Sequence, residues 1–310
     1  MSDIEDIASK HLGRAGDGTV VKPYVTPDAI DPNLLVAIPR QLNRTQYNIE
    51  EDMLPFHGFD TWNCYEVSAL CDNGYPANLV VKITYPSNSK YIVESKSLKL
   101  YLNSFNMHKL GPGVLSVALE VKNIIKRDLE KVLKSAVDVT VFDAAENAAK
   151  INEPAFTHFY NLQNYVDYQT VDFSAYNEDP AILKVDSKIK DKPFRFFSTA
   201  LRSNCRVTNQ PDWGDVYIYM ESNQYPTLDS LMQYIVSMRK ENHFHEEICE
   251  CIYKRLWDLF DPRELMVACL YTRRGGIDIN PLRASSLDVM IKEGRVLMTP
   301  NVLVQKTMRQ

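Results

Sequence analysis

Two stretches of this chain repeat one order of elements, and that repeat limits the possible folds more than any single motif does. From Thr61 to Cys71 apolar and polar residues alternate, with Tyr65, Val67, Ala69 and Cys71 on one face and Glu66 and Ser68 on the other. Such alternation predicts a half-buried strand. Asp72-Asn73-Gly74 is a hairpin turn, Leu79–Tyr85 the returning strand, and Tyr91 to Glu94 a further short strand. Ser95 then reads as the N-cap of a helix with Leu98, Tyr101, Leu102 and Phe105 on one face. Gly111-Pro112-Gly113 ends it. A longer helix, about Leu115 to Ser135, repeats Val117, Val121, Ile124, Ile125, Val132 and Leu133, and Val137–Phe142 is a strand.

The second half follows the same plan. Asn204–Thr208 and Val216–Met220 read as strands around a Pro211-Asp212-Trp213-Gly214 turn. Thr227–Glu241 predicts a helix with Leu228, Leu231, Ile235 and Met238 in register. Phe244–Phe260 predicts another, with Ile248, Cys251, Ile252, Leu256 and Leu259 on its apolar face. Leu265–Thr272 and Gly276–Ile279 close a hairpin around Arg273-Arg274-Gly275-Gly276. Each half therefore reads as strands, two helices, strands, an α+β pattern suggesting two copies of one unit. With 310 residues and 45% apolar content there is material for two cores. The division expected is a polar leader over 1–32, a first unit over 33–150, a connector over 151–195 and a second unit over 196–310.

Charge and cysteines narrow the function. A net charge of −5 argues against a nucleic-acid binder, which normally shows a basic stripe. No apolar run approaches membrane-spanning length. The six cysteines, at 64, 71, 205, 249, 251 and 269, form neither a CxxC pair nor a disulfide-like framework. With no signal peptide ahead of them they read as reduced thiols of a cytoplasmic protein.

The chemistry is expected around Cys205 and Asp212. A thiolate is a strong nucleophile, and a carboxylic acid nearby can protonate what it attacks. On spacing alone the alternatives stay open, since a lone cysteine is ordinarily a small buried hydrophobe and an Asp before Trp-Gly a turn residue. Glu94-Ser95-Lys96-Ser97-Leu98-Lys99 sets an acid at a strand end and two lysines at a helix start. That arrangement suits a phosphate, or else is a solvated face. His245-Glu246 at another helix start is either a site or simple capping electrostatics. The Arg273–Gly276 loop grips phosphate or is only a charged turn. A zinc site at His245, Cys249 and Cys251 is disfavoured, because residues two apart on a helix point in different directions.

Together these pieces resemble a known family. Glu94-Ser95-Lys96-Ser97-Leu98-Lys99-Leu100-Tyr101-Leu102-Asn103-Ser104-Phe105-Asn106 is similar to the signature of the two-domain NADPH-dependent 7-cyano-7-deazaguanine reductases, the QueF family of queuosine biosynthesis. With it go Leu54-Pro55-Phe56-His57-Gly58, Ser203-Asn204-Cys205, Gln210-Pro211-Asp212-Trp213-Gly214, Phe244-His245-Glu246 and Tyr271 to Pro281. The likeness runs from about Pro39 to the C-terminus and is weaker over about Ala144 to Leu201.

The resemblance implies two tandem tunnelling-fold (T-fold) domains, each an antiparallel sheet with two helices layered on it, in a homodimer. It implies four-electron reduction of a nitrile to a primary amine with two NADPH. Cys205 would form a thioimide with 7-cyano-7-deazaguanine, Asp212 would donate the proton, and His245 would stand beside them. Val93, Glu94, Ser95, His245 and Glu246 would hold the deazaguanine, and Ser95, Lys96, Lys99, Arg274 and Gly275 the NADPH. No metal is expected. Two rivals remain: a sister enzyme adding ammonia to the thioimide, and a non-catalytic deazaguanine-binding protein.

Overall fold

The computed structural model describes residues 27, 29–146, 148–186 and 193–310. The leader expected over 1–32 lies almost wholly outside them. Among the described residues nine strands form one sheet: β1 (His57–Leu70), β2 (Pro76–Pro86), β3 (Asp138–Asp143), β4 (Tyr160–Asn161), β5 (Phe194–Ser198), β6 (Arg202–Asn204), β7 (Pro211–Glu221), β8 (Glu264–Tyr271) and β9 (Ile277–Ala284). Their order is β3-β2-β1-β9-β8-β7-β5-β4, with β6 paired to β7. All pairs are antiparallel except β4 with β5. The two halves meet at the β1–β9 seam, in register from Ile277 opposite Cys64 to Ala284 opposite His57.

Four helices follow the expected plan: α1 (Ser95–Asn103), α2 (Val114–Leu133), α3 (Leu228–Ser237) and α4 (His245–Phe260). In α2 the residues Val117, Val121, Ile125, Leu129 and Leu133 recur at helical spacing and are fully buried. They pack, with Leu98, Tyr101 and Leu102 of α1 and Phe105 just beyond it, against Trp62, Cys64, Val67, Leu79, Val81 and Ile83 of the sheet. In the second half Leu231, Ile235, Ile248, Ile252 and Leu256 cover Val216, Ile218, Val267 and Cys269 in the same way.

Two expectations need correction. The strand β1 does not keep one alternation, because a bulge between Cys64 and Val67 inserts an extra residue. Trp62 and Cys64 stay on the helix face, but Tyr65 turns to the other, where its hydroxyl donates to Asp278 at 2.9 Å. A fifth helix, α5 (Leu287–Met298), was not foreseen. Ser286 caps it by accepting from Val289 N at 3.2 Å, and Val289, Met290 and Leu297 cover Tyr217, Tyr219, Met266 and Leu282 on the sheet's opposite face. Within the connector expected over 151–195, the short strand β4 joins the sheet and Glu178 receives Tyr234 and Arg255. Among the described residues no helix is long and apolar enough to cross a membrane.

Charge is buried at the seam. Arg283 of β9 donates to Asp60 of β1 at 2.8 Å and to Glu250 of α4 at 2.8 Å. Arg40 reaches Asp60 at 2.5 Å, and Arg44 reaches Glu250 at 2.8 and 2.9 Å. Burial alone would push the Glu250 carboxyl up, but Arg283, Arg44 and Arg40 pull it down to about 2. Breaking such a set by removing one partner leaves a charge uncompensated out of water. Arg283→Met should therefore cost ~3–5 kcal/mol in a chemical-denaturation measurement. A loss below about 1 kcal/mol, the value for exposed pairs, would remove the seam from the account of stability.

Candidate active site

Four pieces of chain converge on a cavity of about 290 Å³. The strand Tyr91–Val93, paired with Ala37–Pro39, leads into α1. Phe244, which precedes α4, packs with Ile38 and Ile92, so the two helix starts are tied together. The other pieces are the turn after β6 and the turn between β8 and β9.

Locally the sequence behaves differently from the expectation in two places. Cys205 is not inside a strand: β6 ends at Asn204, and Cys205 opens a turn in which its carbonyl accepts from Asn209 N at 2.9 Å. Asn209 closes it with φ 55°, a left-handed conformation that asparagine tolerates. Pro211 to Gly214 is not the turn but the start of β7, where a first-residue proline disturbs no ladder bond. Gly214 is required for close approach, since a Cβ there would lie 3.0 Å from the Tyr271 ring. The hairpin still sets the carboxyl beside the thiol, with Asp212 opposite Ser203.

At the start of α1 the cap is Glu94 and not Ser95. Glu94 has extended backbone and accepts from Ser97 N at 2.7 Å. At α4 it is Glu247 that accepts from Phe244 N, at 3.3 Å, while Glu246 is free of that duty. Glu246 is buried, and its Oε1 has no hydrogen-bond partner among the described residues. Burial, with Asp60 adding to it, pushes this carboxyl up to about 8.

The expected site residues Ser95, Lys96, Lys99, Cys205, Asp212, His245, Arg274 and Gly275 all line the one cavity. Val93, Glu94 and Glu246 are buried and do not line it. Lys96 Nζ lies 3.3 Å from Cys205 Sγ and 3.8 Å from Glu94 Oε1. Arg274 pairs with Asp212 and with Gln210. His245 Nε2 stands 3.8 Å from Asp212 Oδ2, and its ring meets Tyr271 edge-on at 4.1 Å. Burial opposes ionisation of the Cys205 thiol, but Lys96 and the donors at Thr208 and Val207 outweigh it and bring the pKa below its ordinary value. Burial also pushes His245 down, with Arg274 and Lys96 adding to it against Asp212, which favours a neutral imidazole. Cys249 and Cys251 turn to different neighbours, the Val267 carbonyl and the Tyr234 hydroxyl.

A pyridine dinucleotide fits this lining. Lys96, Lys99 and Arg274 supply cationic donors. Gly275, at φ +57°, leaves a cradle in which a Cβ would lie 2.9 Å from Lys99 Nζ.

Sequence reasoning missed His243 and gave Gln210 and Thr272 no role, though all three line the cavity. The signal for His243 was the acid on either side, at Glu241 and Glu247. His243 Nε2 lies 3.0 Å from Glu241 Oε2, and Nδ1 lies 2.8 Å from Glu247 Oε1.

Two family profiles match the chain: "Nitrile reductase, 7-cyano-7-deazaguanine-reductase N-term" over 26–141 and "QueF-like protein" over 211–288. A Psychrobacter cryohalolentis protein named NADPH-dependent 7-cyano-7-deazaguanine reductase is 36% identical over 276 residues, covering 87% of this chain and 94% of the relative. Proteins of the same name from Azoarcus sp. strain BH72 and Legionella pneumophila strain Paris are each 37% identical. Those two alignments cover 86% and 82% of this chain, and 90% and 85% of the relatives. The chain belongs to this reductase family. Within the family match, Glu94, Ser95, Lys96 and Lys99 fall in the first profile, and Asp212, His245, Glu246, Arg274 and Gly275 in the second. Cys205 lies just ahead of the second. A solved archaeosine synthase QueF-Like in its apo form overlaps 32% of this chain at 13% identity and a TM-score of 0.30, too little to bear on the fold.

His243 gives a pH test of the site's frame. Burial alone would lower its pKa, but Glu241 and Glu247 raise it to about 9. A raised folded value means that its stabilising contribution is complete below the unfolded value near 6.5 and is lost as pH climbs through about 9. Denaturant melts of His243→Gln should show a flatter decline over that window than wild type. Parallel declines would remove His243 as the cause.

Proposed function

We propose that the protein reduces the nitrile of 7-cyano-7-deazaguanine to the primary amine, at the cost of two NADPH, through a thioimide on Cys205. The family supports the reaction. The observation that carries the residue roles is the convergence of Cys205, Asp212 and three cationic side chains on one cavity.

A nitrile is a poor hydride acceptor, so addition of sulfur prepares it. The Cys205 thiolate forms a C–S bond, the nitrile π pair moves to nitrogen, and nitrogen takes a proton from Asp212 once that carboxyl has left Arg274 and taken up a proton from solvent. Held by Ser95, Lys96, Lys99, Arg274 and Gly275, NADPH would supply the two hydrides, one for the thioimide and one for the imine left when the C–S bond breaks and Cys205 regains its thiolate. Two protons are consumed overall. Between the hydrides the cavity walls, with Phe244, Ile277 and Ile279 among them, keep water from the imine.

Glu94 and Glu246 accept N–H groups of the deazaguanine, and the unpartnered Oε1 of Glu246 favours that role. Val93, Ser95 and His245 lie beside the base. Ser95, Lys96, Lys99, Arg274 and Gly275 hold the NADPH. The sheet's two halves, each bearing two helices on one face, support a pair of T-fold domains. We assign the enzyme to the cytoplasm as a homodimer.

The test is to mix the protein with the nitrile, with and without NADPH or ammonia, and to follow nicotinamide absorbance and product mass. Two NADPH consumed per amine is the expected result. An amidine formed with ammonia alone, or no turnover, would give the field to one of the two rivals. Cys205→Ala should abolish both the adduct and turnover. Asp212→Asn keeps the shape without a transferable proton and should lose about a hundredfold to ten-thousandfold in rate. Near-wild-type turnover by Asp212→Asn would leave Asp212 with a structural task only. Glu246→Ala should weaken nitrile binding by about 1 kcal/mol, the value for a hydrogen bond to a neutral acid, with NADPH binding unchanged.

A further inference from the structure

We propose that Lys96 is a catalytic residue whose ammonium holds Cys205 as a thiolate before the nitrile arrives. The inference deepens the thioimide reading and rests on it, since that reading assigns Lys96 to NADPH alone. Its ground is position. Lys96 Nζ lies 3.3 Å from Sγ, a distance for a charge-assisted contact, and the same ammonium is steadied by Glu94 Oε1 at 3.8 Å. Because Glu94 caps α1, this bridge is fixed to a helix start and not to a free side chain.

The other charged and titratable groups of the cavity have different partners. Arg274 is engaged by Asp212 and Gln210, and Lys99 faces Glu66 at 3.8 Å. His245, an ordinary choice of base beside a thiol, is turned toward Asp212. His243 is held by Glu241 and Glu247. That leaves Lys96 as the cation set on the sulfur. Across the sulfur, donors at Thr208 and Val207 act in the same sense.

Charge conservation then links both roles of this lysine. Attack converts the thiolate into a neutral thioether sulfur, with the negative charge passed to nitrogen and quenched by the Asp212 proton. The ammonium loses its partner at that moment and becomes available to an anion. Lys96 thus serves the sulfur before addition and the cofactor after it.

The test needs neither nitrile nor NADPH, so its failure and that of the reductase reading are distinguishable. Iodoacetamide alkylation would be followed over a range of pH in wild type, Lys96→Met and Lys96→Arg, with the modified peptide mapped to Cys205 by mass. In Lys96→Met the inflection should rise by about one pH unit or more, and the rate at neutral pH should fall about tenfold, as for a thiol returned toward its ordinary pKa. Lys96→Arg should restore most of the difference. Coincident profiles for wild type and Lys96→Met would overturn the proposal. Should Lys96→Met fail to fold, the ultraviolet thiolate absorbance of wild type against Cys205→Ser decides it. Titration at an ordinary thiol pKa would overturn the proposal equally.

Discussion

The buried ion set at the seam is the constraint on which the rest depends. Arg283, Asp60 and Glu250 come from β9, β1 and α4, and Arg40 and Arg44 from the segment that leads toward them. Each charge is out of water, so each must be met by another, and few arrangements of the elements do this. The seam is also where the first half, which brings α1 and Lys96, meets the second, which brings Cys205 and α4. A slip of one residue at β1–β9 would put Asp60 and Arg283 on opposite faces of the sheet. It would also part the lysine from the sulfur. Register and chemistry are fixed by the same contacts.

Much of this was legible because it follows simple periods. The repeat of Val117, Val121, Ile125 and Leu133 reads as one face of a helix and the structure buries it, while Ile124 and Val132, read with them, are only half-buried. The signature around Glu94 and the residues around Cys205 carried the site, and of the polar residues expected there all but Glu94 and Glu246 reach one cavity. What was not legible depends on tertiary geometry. Nothing local tells that Tyr65 leaves the alternation, because a bulge is set by the partner strand. Pro211 and Gly214 imitate a turn, yet the glycine answers to the Tyr271 ring, which is distant in sequence. Ser95 looked the better cap, but a carboxylate one residue earlier takes the same donor. The helix after Ser286 has a proper cap and was passed over because the repeat of two helices seemed complete.

The site's charges come in matched pairs: Lys96 with Cys205, Arg274 with Asp212, His243 with Glu241 and Glu247. Cations that sequence reasoning gave to a cofactor are found on Cys205 and Asp212. In a partly enclosed cavity such pairs attract more strongly than in water, so each fixes the other's protonation and direction. A polyanionic ligand entering here does not meet bare positive charge. It competes with carboxylate and thiolate, and its binding is tied to their state.

Glu246 stands outside that pairing. An acceptor shut away from water without a donor leaves the ligand-free fold short by about 1–3 kcal/mol, and on the proposed role a ring N–H would restore it. Discrimination would then be exercised at the heterocycle and not at the carbon that reacts. Aliphatic or benzenoid nitriles, however electrophilic, would bring nothing to that carboxyl and leave it stranded. On the proposed roles, reactivity toward the triple bond and admission to the pocket are governed by separate parts of the molecule.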